Sequence, residues 1–152
     1  MTRIHTLLLA GVAAGSAALA GCATVEEAVI EKTAETYHAE LTGAQEPGNA
    51  GDPDGVGKAE ITVADNANQI CWDLNGISGI GPITGAHIHR GAPGVNGPVV
   101  FPLKPANEGG WKGCSNRSEW TEDALERNYA NYYVNVHTAE YPNGAIRGQL
   151  HQ

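Results

Sequence analysis

Basic side chains are scarce in this chain: 9 Lys and Arg stand against 17 Asp and Glu, for a formal net charge of −8. The nine are scattered and form no stripe, which excludes the electrostatic footprint of a nucleic-acid-binding protein or of one that coats anionic membrane surfaces. Aromatic residues make up only 6% and include a single Phe, so a core has to be built from Val, Ile, Leu and Ala. Long apolar runs are missing too. Leu7 to Ala20 is uncharged, but a transmembrane helix needs about 20 apolar residues. There is no internal repeat and no low-complexity tract. No Ser/His/Asp arrangement, phosphate-cradling glycine loop or paired-carboxylate site can be assembled, and the reading leans away from an enzyme.

What is present begins with an address. Arg3 supplies a basic start, the run Leu7 to Ala20 fits the apolar part of a cleavable export signal, and it ends in Leu19-Ala20-Gly21-Cys22. An ordinary signal needs no cysteine there. Leu-Ala-Gly-Cys resembles the lipobox of bacterial lipoproteins, which implies cleavage before Cys22 and lipid on its sulfur and amine; two or more acyl chains anchor stably where one is marginal. By the same resemblance, Ala23 after the cysteine favours the outer membrane. Residues 1–21 are thus expected to be a signal peptide and 22–35 an acidic, lipidated tether to the cell envelope. Residues 36–152 are left as the working domain.

Removing residues 1–21 from the 152 leaves 131, one domain's worth. The loss of Arg3 takes the charge from −8 to −9. Gly (20) and Pro (8) are frequent, as in a turn-dense β protein, without reaching the level of a disordered chain. Cys71 and Cys114 remain, and in an exported domain a pair of cysteines is expected as a disulfide. The alternative is a two-thiolate metal site, but neither cysteine has a close second ligand.

From residue 36 the apolar pattern has period two, broken by turn residues, which is the strand signature. Strands are expected at 37–41, 58–64, 69–75, 83–89, 98–103, 132–138 and 145–150, with a polar loop over 45–56. The one good helical stretch is Glu122 to Asn128, with Thr121 as its cap. Seven or so short strands and one short helix predict an all-β, Greek-key-like sandwich or barrel.

Three of the histidines stand out. In Gly85-Ala86-His87-Ile88-His89-Arg90, alternation puts His87 and His89 on one face and Ile88 on the other. In Tyr133-Val134-Asn135-Val136-His137, the valines mark the core and His137 points outward beside Asn135. Imidazoles two residues apart on a strand sit roughly 7 Å apart at Cα, a workable bite for one metal ion that a third histidine would complete. Three neutral imidazoles suit copper or zinc. The plainer reading is half-exposed strand histidines in ordinary hydrogen bonds. On the closing hairpin, Arg147, Gln149 and His151 share the outer face. An even register sets Arg147 opposite His137, and a nearby one sets His151 opposite Asn135. Arg147 is then either a structural charge or an anion receiver, and Asn135 and His151 are candidate supporting groups.

These segments, together with Tyr37-His38-Ala39-Glu40-Leu41-Thr42-Gly43-Ala44-Gln45-Glu46, Ile70-Cys71-Trp72 and Tyr141-Pro142-Asn143-Gly144-Ala145-Ile146-Arg147-Gly148-Gln149-Leu150, resemble the CHRD domain. That domain was named from the animal protein chordin and is also found in many exported bacterial proteins. The resemblance runs from about residue 36 to 150 and says little about activity. A second similarity is to the copper ligands of copper/zinc superoxide dismutases, which His87, His89 and His137 match one by one. The bridging histidine, the remaining zinc histidine and the zinc aspartate have no counterpart. It implies a superoxide dismutase-like barrel and a copper site without zinc, not the dismutase activity.

Three expectations result: a copper-binding envelope module, a structural or interaction domain with an envelope protein partner, and, third, a copper-only dismutase-like enzyme. Gly51-Asp52-Pro53-Asp54-Gly55 lacks the third acidic position and distal Glu of a calcium loop and reads as an acidic turn.

Overall fold

Alternating apolar residues make the strands, and each strand turns its apolar set to one interior. The computed structural model describes residues 34–64, 67–116, 125 and 127–152. The expected signal peptide, Cys22 and nearly all of the expected tether lie outside these residues. So do Trp120, Thr121 and the first turn of the expected helix, of which Leu125, Arg127 and Asn128 are described and are helical.

Eight strands run β1 (Ala34–Thr42), β2 (Val56–Ala64), β3 (Gln69–Ser78), β4 (Ile83–Arg90), β5 (Val99–Leu103), β6 (Trp111–Asn116), β7 (Tyr132–Thr138) and β8 (Ile146–Gln149). They form one antiparallel sheet in the order β5-β4-β7-β8-β1-β2-β3-β6. The neighbours β4/β7, β8/β1 and β3/β6 are distant in sequence, which gives the predicted Greek-key character. Tyr37, Leu41, Ile61, Val63, Ile70, Ile88, Val134, Val136 and Ile146 fill the interior with almost no exposure. Each such side chain contributes about 1.5–3 kcal/mol by burial.

The sheet curls into a nearly closed barrel whose seam lies between β5 and β6. A side chain spans it: Trp72 Nε1 donates to Lys104 O (3.0 Å), and the Trp72 ring meets Phe101 edge-on at 5.9 Å.

The structure departs from the sequence reading in several places. β1 begins at Ala34, paired with Ala64, so its first two residues come from the segment read as tether. Two short 3-10 turns follow β1, Gly43–Gln45 leading into the 45–56 loop and Pro47–Asn49 within it. The eighth strand, β6, was not expected. Trp-Lys-Gly-Cys-Ser-Asn alternates poorly, and no residue in it is fully buried. Its place is set by β3, where Cys114 lies directly opposite Cys71 and the two are joined in the expected disulfide. Asp52 and Asp54 form an acidic turn, in which Asp54 N donates to Asp52 Oδ1 (3.2 Å).

Candidate metal centre

β4 and β7 are neighbours, with Gly85 opposite His137 and His87 opposite Asn135. The two predicted histidine faces therefore merge. The nearest ring nitrogens of His87, His89 and His137 all lie within 4.8 Å of one another, and this is the only such group among the described residues.

Hydrogen bonds to backbone carbonyls orient two of the rings. His89 Nδ1 donates to Gly97 O (2.9 Å), and His137 Nδ1 donates to Pro142 O (3.1 Å). Each bond fixes the tautomer with its lone pair on Nε2. His137 Nε2 accepts from His87 Nδ1 (3.1 Å). His89 Nε2 is buried and has no hydrogen-bond partner among the described residues. Orphaned buried nitrogens of this kind are rare in folded proteins.

Burial lowers the pKa of all three histidines below the ordinary 6.5. For His87, repulsion from His137 and His89 adds to the effect. For His89, the Gly97 carbonyl opposes it, while His137 and Arg147 add to it. The cluster is therefore neutral at pH 7, the state in which imidazole is a ligand. With the His87 proton moved from Nδ1 to Nε2, His87 Nδ1, His89 Nε2 and His137 Nε2 could hold one metal ion. The carbonyls of Gly97 and Pro142 fix the rings of two of them from behind, as hydrogen-bond partners of ligand histidines do in metal sites.

The expected outer face is not open. β7 is buried on both sides: Asn135 is 2% exposed and Tyr133 1%, and on β8 Arg147 is 1% exposed. The segment after β4, Gly91 to Pro98, lies over this face. Arg147 NH2 donates to Ala92 O and Val95 O (both 3.0 Å), and Gln149 Nε2 donates to Gly91 O (2.9 Å). Arg147 is thereby tied through one of its nitrogens to the covering segment, as a structural charge would be. Its guanidinium lies 3.4 Å from the centroid of the Tyr133 ring, which is also stacked on His89 at 4.8 Å.

The register places Arg147 opposite Asn135, not opposite His137. The parity is as expected, but the turn takes up more chain: it curls back so that Thr138 N and Gly144 N both donate to Tyr141 O. His151 is not at the site. It forms an isolated bridge with His38 of β1 and is exposed.

Two residues were not foreseen. Tyr133 could have been found, since it shares the parity of Asn135 and His137. Glu46, 5% exposed, comes from the polar loop with no periodic signal. Burial raises its pKa, against the lowering by Arg147 and by a hydrogen bond from Asn135.

Among the described residues, no helix is long and apolar enough to cross a membrane. Comparison with curated proteins and with solved structures gives no match. The sequence model of the CHRD domain matches residues 37–150, from within β1 to just beyond β8. On that match, which takes in all of the barrel but the first residues of β1 and includes all three clustered histidines, this chain belongs to the CHRD domain family.

Proposed function

We propose that this CHRD domain is a metal-binding module of the cell envelope, holding one copper ion through His87, His89 and His137. The observation that carries the reading is the buried, unpartnered Nε2 of His89 beside two further neutral imidazoles. Nitrogen donors favour divalent copper over zinc in the general affinity order, so copper is the first choice and zinc the second. Storage, tolerance or delivery of the metal is the role we assign to the site.

Periplasmically expressed protein loaded with copper is expected to hold one equivalent, with nitrogen hyperfine structure in its electron paramagnetic spectrum. The triple variant His87→Ala/His89→Ala/His137→Ala is expected to hold none; retained stoichiometric copper in that variant sinks the reading. The pH dependence has a definite sign. Because the folded pKa values are lowered, copper affinity persists below about 6.5 and is lost as pH falls through the folded values. Stability of the metal-free protein declines over the same range, since the unfolded chain binds more protons there.

The domain is carried, in this proposal, by lipid on Cys22, at the outer membrane in preference to the inner. Cys22→Ser is expected to abolish labelling with radioactive palmitate and to move the protein from the membrane to the soluble fraction. An unchanged membrane fraction counts against the anchor.

A second reading has one observation in its favour. His87 and His137 already satisfy each other by a hydrogen bond, as they would in an interaction domain that takes no metal. A melting temperature indifferent to added copper, together with a specific envelope partner in a pulldown, would select it.

A further inference from the structure

We infer that Tyr133, Arg147 and Gln149 are positioning residues of the histidine site. They act through the strap Gly91–Gly97, so that the strap, rather than the imidazoles alone, sets how long a metal ion is retained. This deepens the proposed copper site and rests on it.

His89 is the ring whose Nε2 is left without a partner, and its one hydrogen bond among the described residues runs to Gly97 O. Gly97 belongs to no strand, so something else has to fix it. Three contacts do. Tyr133 Oη accepts the N–H of Gly97 (3.1 Å), which grips the same residue that holds His89. Arg147 gathers the carbonyls of Ala92 and Val95, and Gln149 takes that of Gly91. At the far end, Arg90 N donates to Pro98 O (3.1 Å), closing the strap onto β4 next to His89.

The aromatic contacts run through the same residues. β7 lies between β4 and β8, so the His89 ring and the Arg147 guanidinium reach Tyr133 from opposite sides. The Tyr133 ring thereby blocks rotation of His89, while its hydroxyl secures the carbonyl that sets the tautomer. Gly97 admits no side chain, because a Cβ there would overlap the carbonyl of Arg90. Outer partners of this kind typically change metal affinity by about 10–100-fold when removed.

The discriminating variant is Tyr133→Phe, which keeps the ring and removes the hydroxyl. Copper-loaded wild-type and variant proteins are compared for affinity, for the rate of release to a chelator and for copper hyperfine splitting; the metal-free forms are compared for melting temperature. The expectation is affinity weakened about 10–100-fold, faster release and altered splitting, with metal-free melting temperatures within a few degrees. Arg147→Lys, which keeps the charge but loses the planar fork, is expected to move the same readouts in the same direction. Copper parameters identical to wild type in Tyr133→Phe overturn the inference. A wild-type protein that takes no copper overturns the site itself, and that outcome is visible before any variant is made.

Discussion

Arg147→Ala is expected to cost the fold about 2–6 kcal/mol at pH 7.5, because it strands two carbonyls at about 1–3 kcal/mol each. Arg147 is the largest of the fully buried side chains among the described residues. Its removal leaves the Ala92 and Val95 carbonyls without their donor and Glu46 without its nearby positive charge. The loss is read as a lower urea midpoint at an unchanged slope. The pH dependence identifies the cause. Without Arg147 the Glu46 pKa rises further above its unfolded value, so the folded state binds more protons and the variant loses stability as pH increases. The penalty is therefore smaller at pH 5 than at pH 7.5. Adding Glu46→Gln removes the stranded charge, and the double variant is expected to be more stable than the sum of the single changes predicts. A pH-independent loss with strict additivity would mean that the guanidinium acts through packing alone.

Replacing Cys71 and Cys114 together by serine is expected to cost about 4 kcal/mol in the loop-entropy view, given the 43-residue separation. For a domain of this size that is a drop of roughly 12–24 °C in melting temperature. Reductant should bring the wild type close to the variant and leave the variant where it was. The effect is large because β6 has little else. None of its residues is fully buried, and among the described residues its only ladder is the one to β3. A variant that melts within a few degrees of the oxidised wild type would show that the β3 ladder alone holds β6 in place.

How much of this could be read beforehand follows from where the information lies. Strand interiors were legible because period-two alternation is local, as in β7, whose bounds match the expectation at both ends. β6 was not, because an edge strand that buries little carries little pattern and is specified by its partner. The union of His87, His89 and His137 was legible from alternation together with the resemblance to known copper ligands. Their burial was not. Tyr133-Val134-Asn135-Val136-His137 has the alternation of a strand wet on one side, yet it is covered on both, because the strap comes from the sequence after β4 and is pinned from β8. The closing hairpin shows the same division. Parity came from the valines, but the exact register depends on hydrogen bonds inside the Tyr141–Gly144 turn.

The ladder between β8 and β1 bears on the order of events during synthesis. Thr42 pairs with Arg147, so the two halves of the sheet are joined in its middle through the first strand and the last. A contact between residues so distant in sequence is slow to form, since chain entropy must be lost before it returns any stabilisation. The meander β1–β2–β3 can assemble while the chain is still growing. β4, with two of the three imidazoles, has to wait for β7, and the strap over them has to wait for Arg147 and Gln149. A nascent chain emerging N-terminus first therefore carries His87 and His89 for some time before they meet His137, and the strap beside the three rings is fixed only with the final strand.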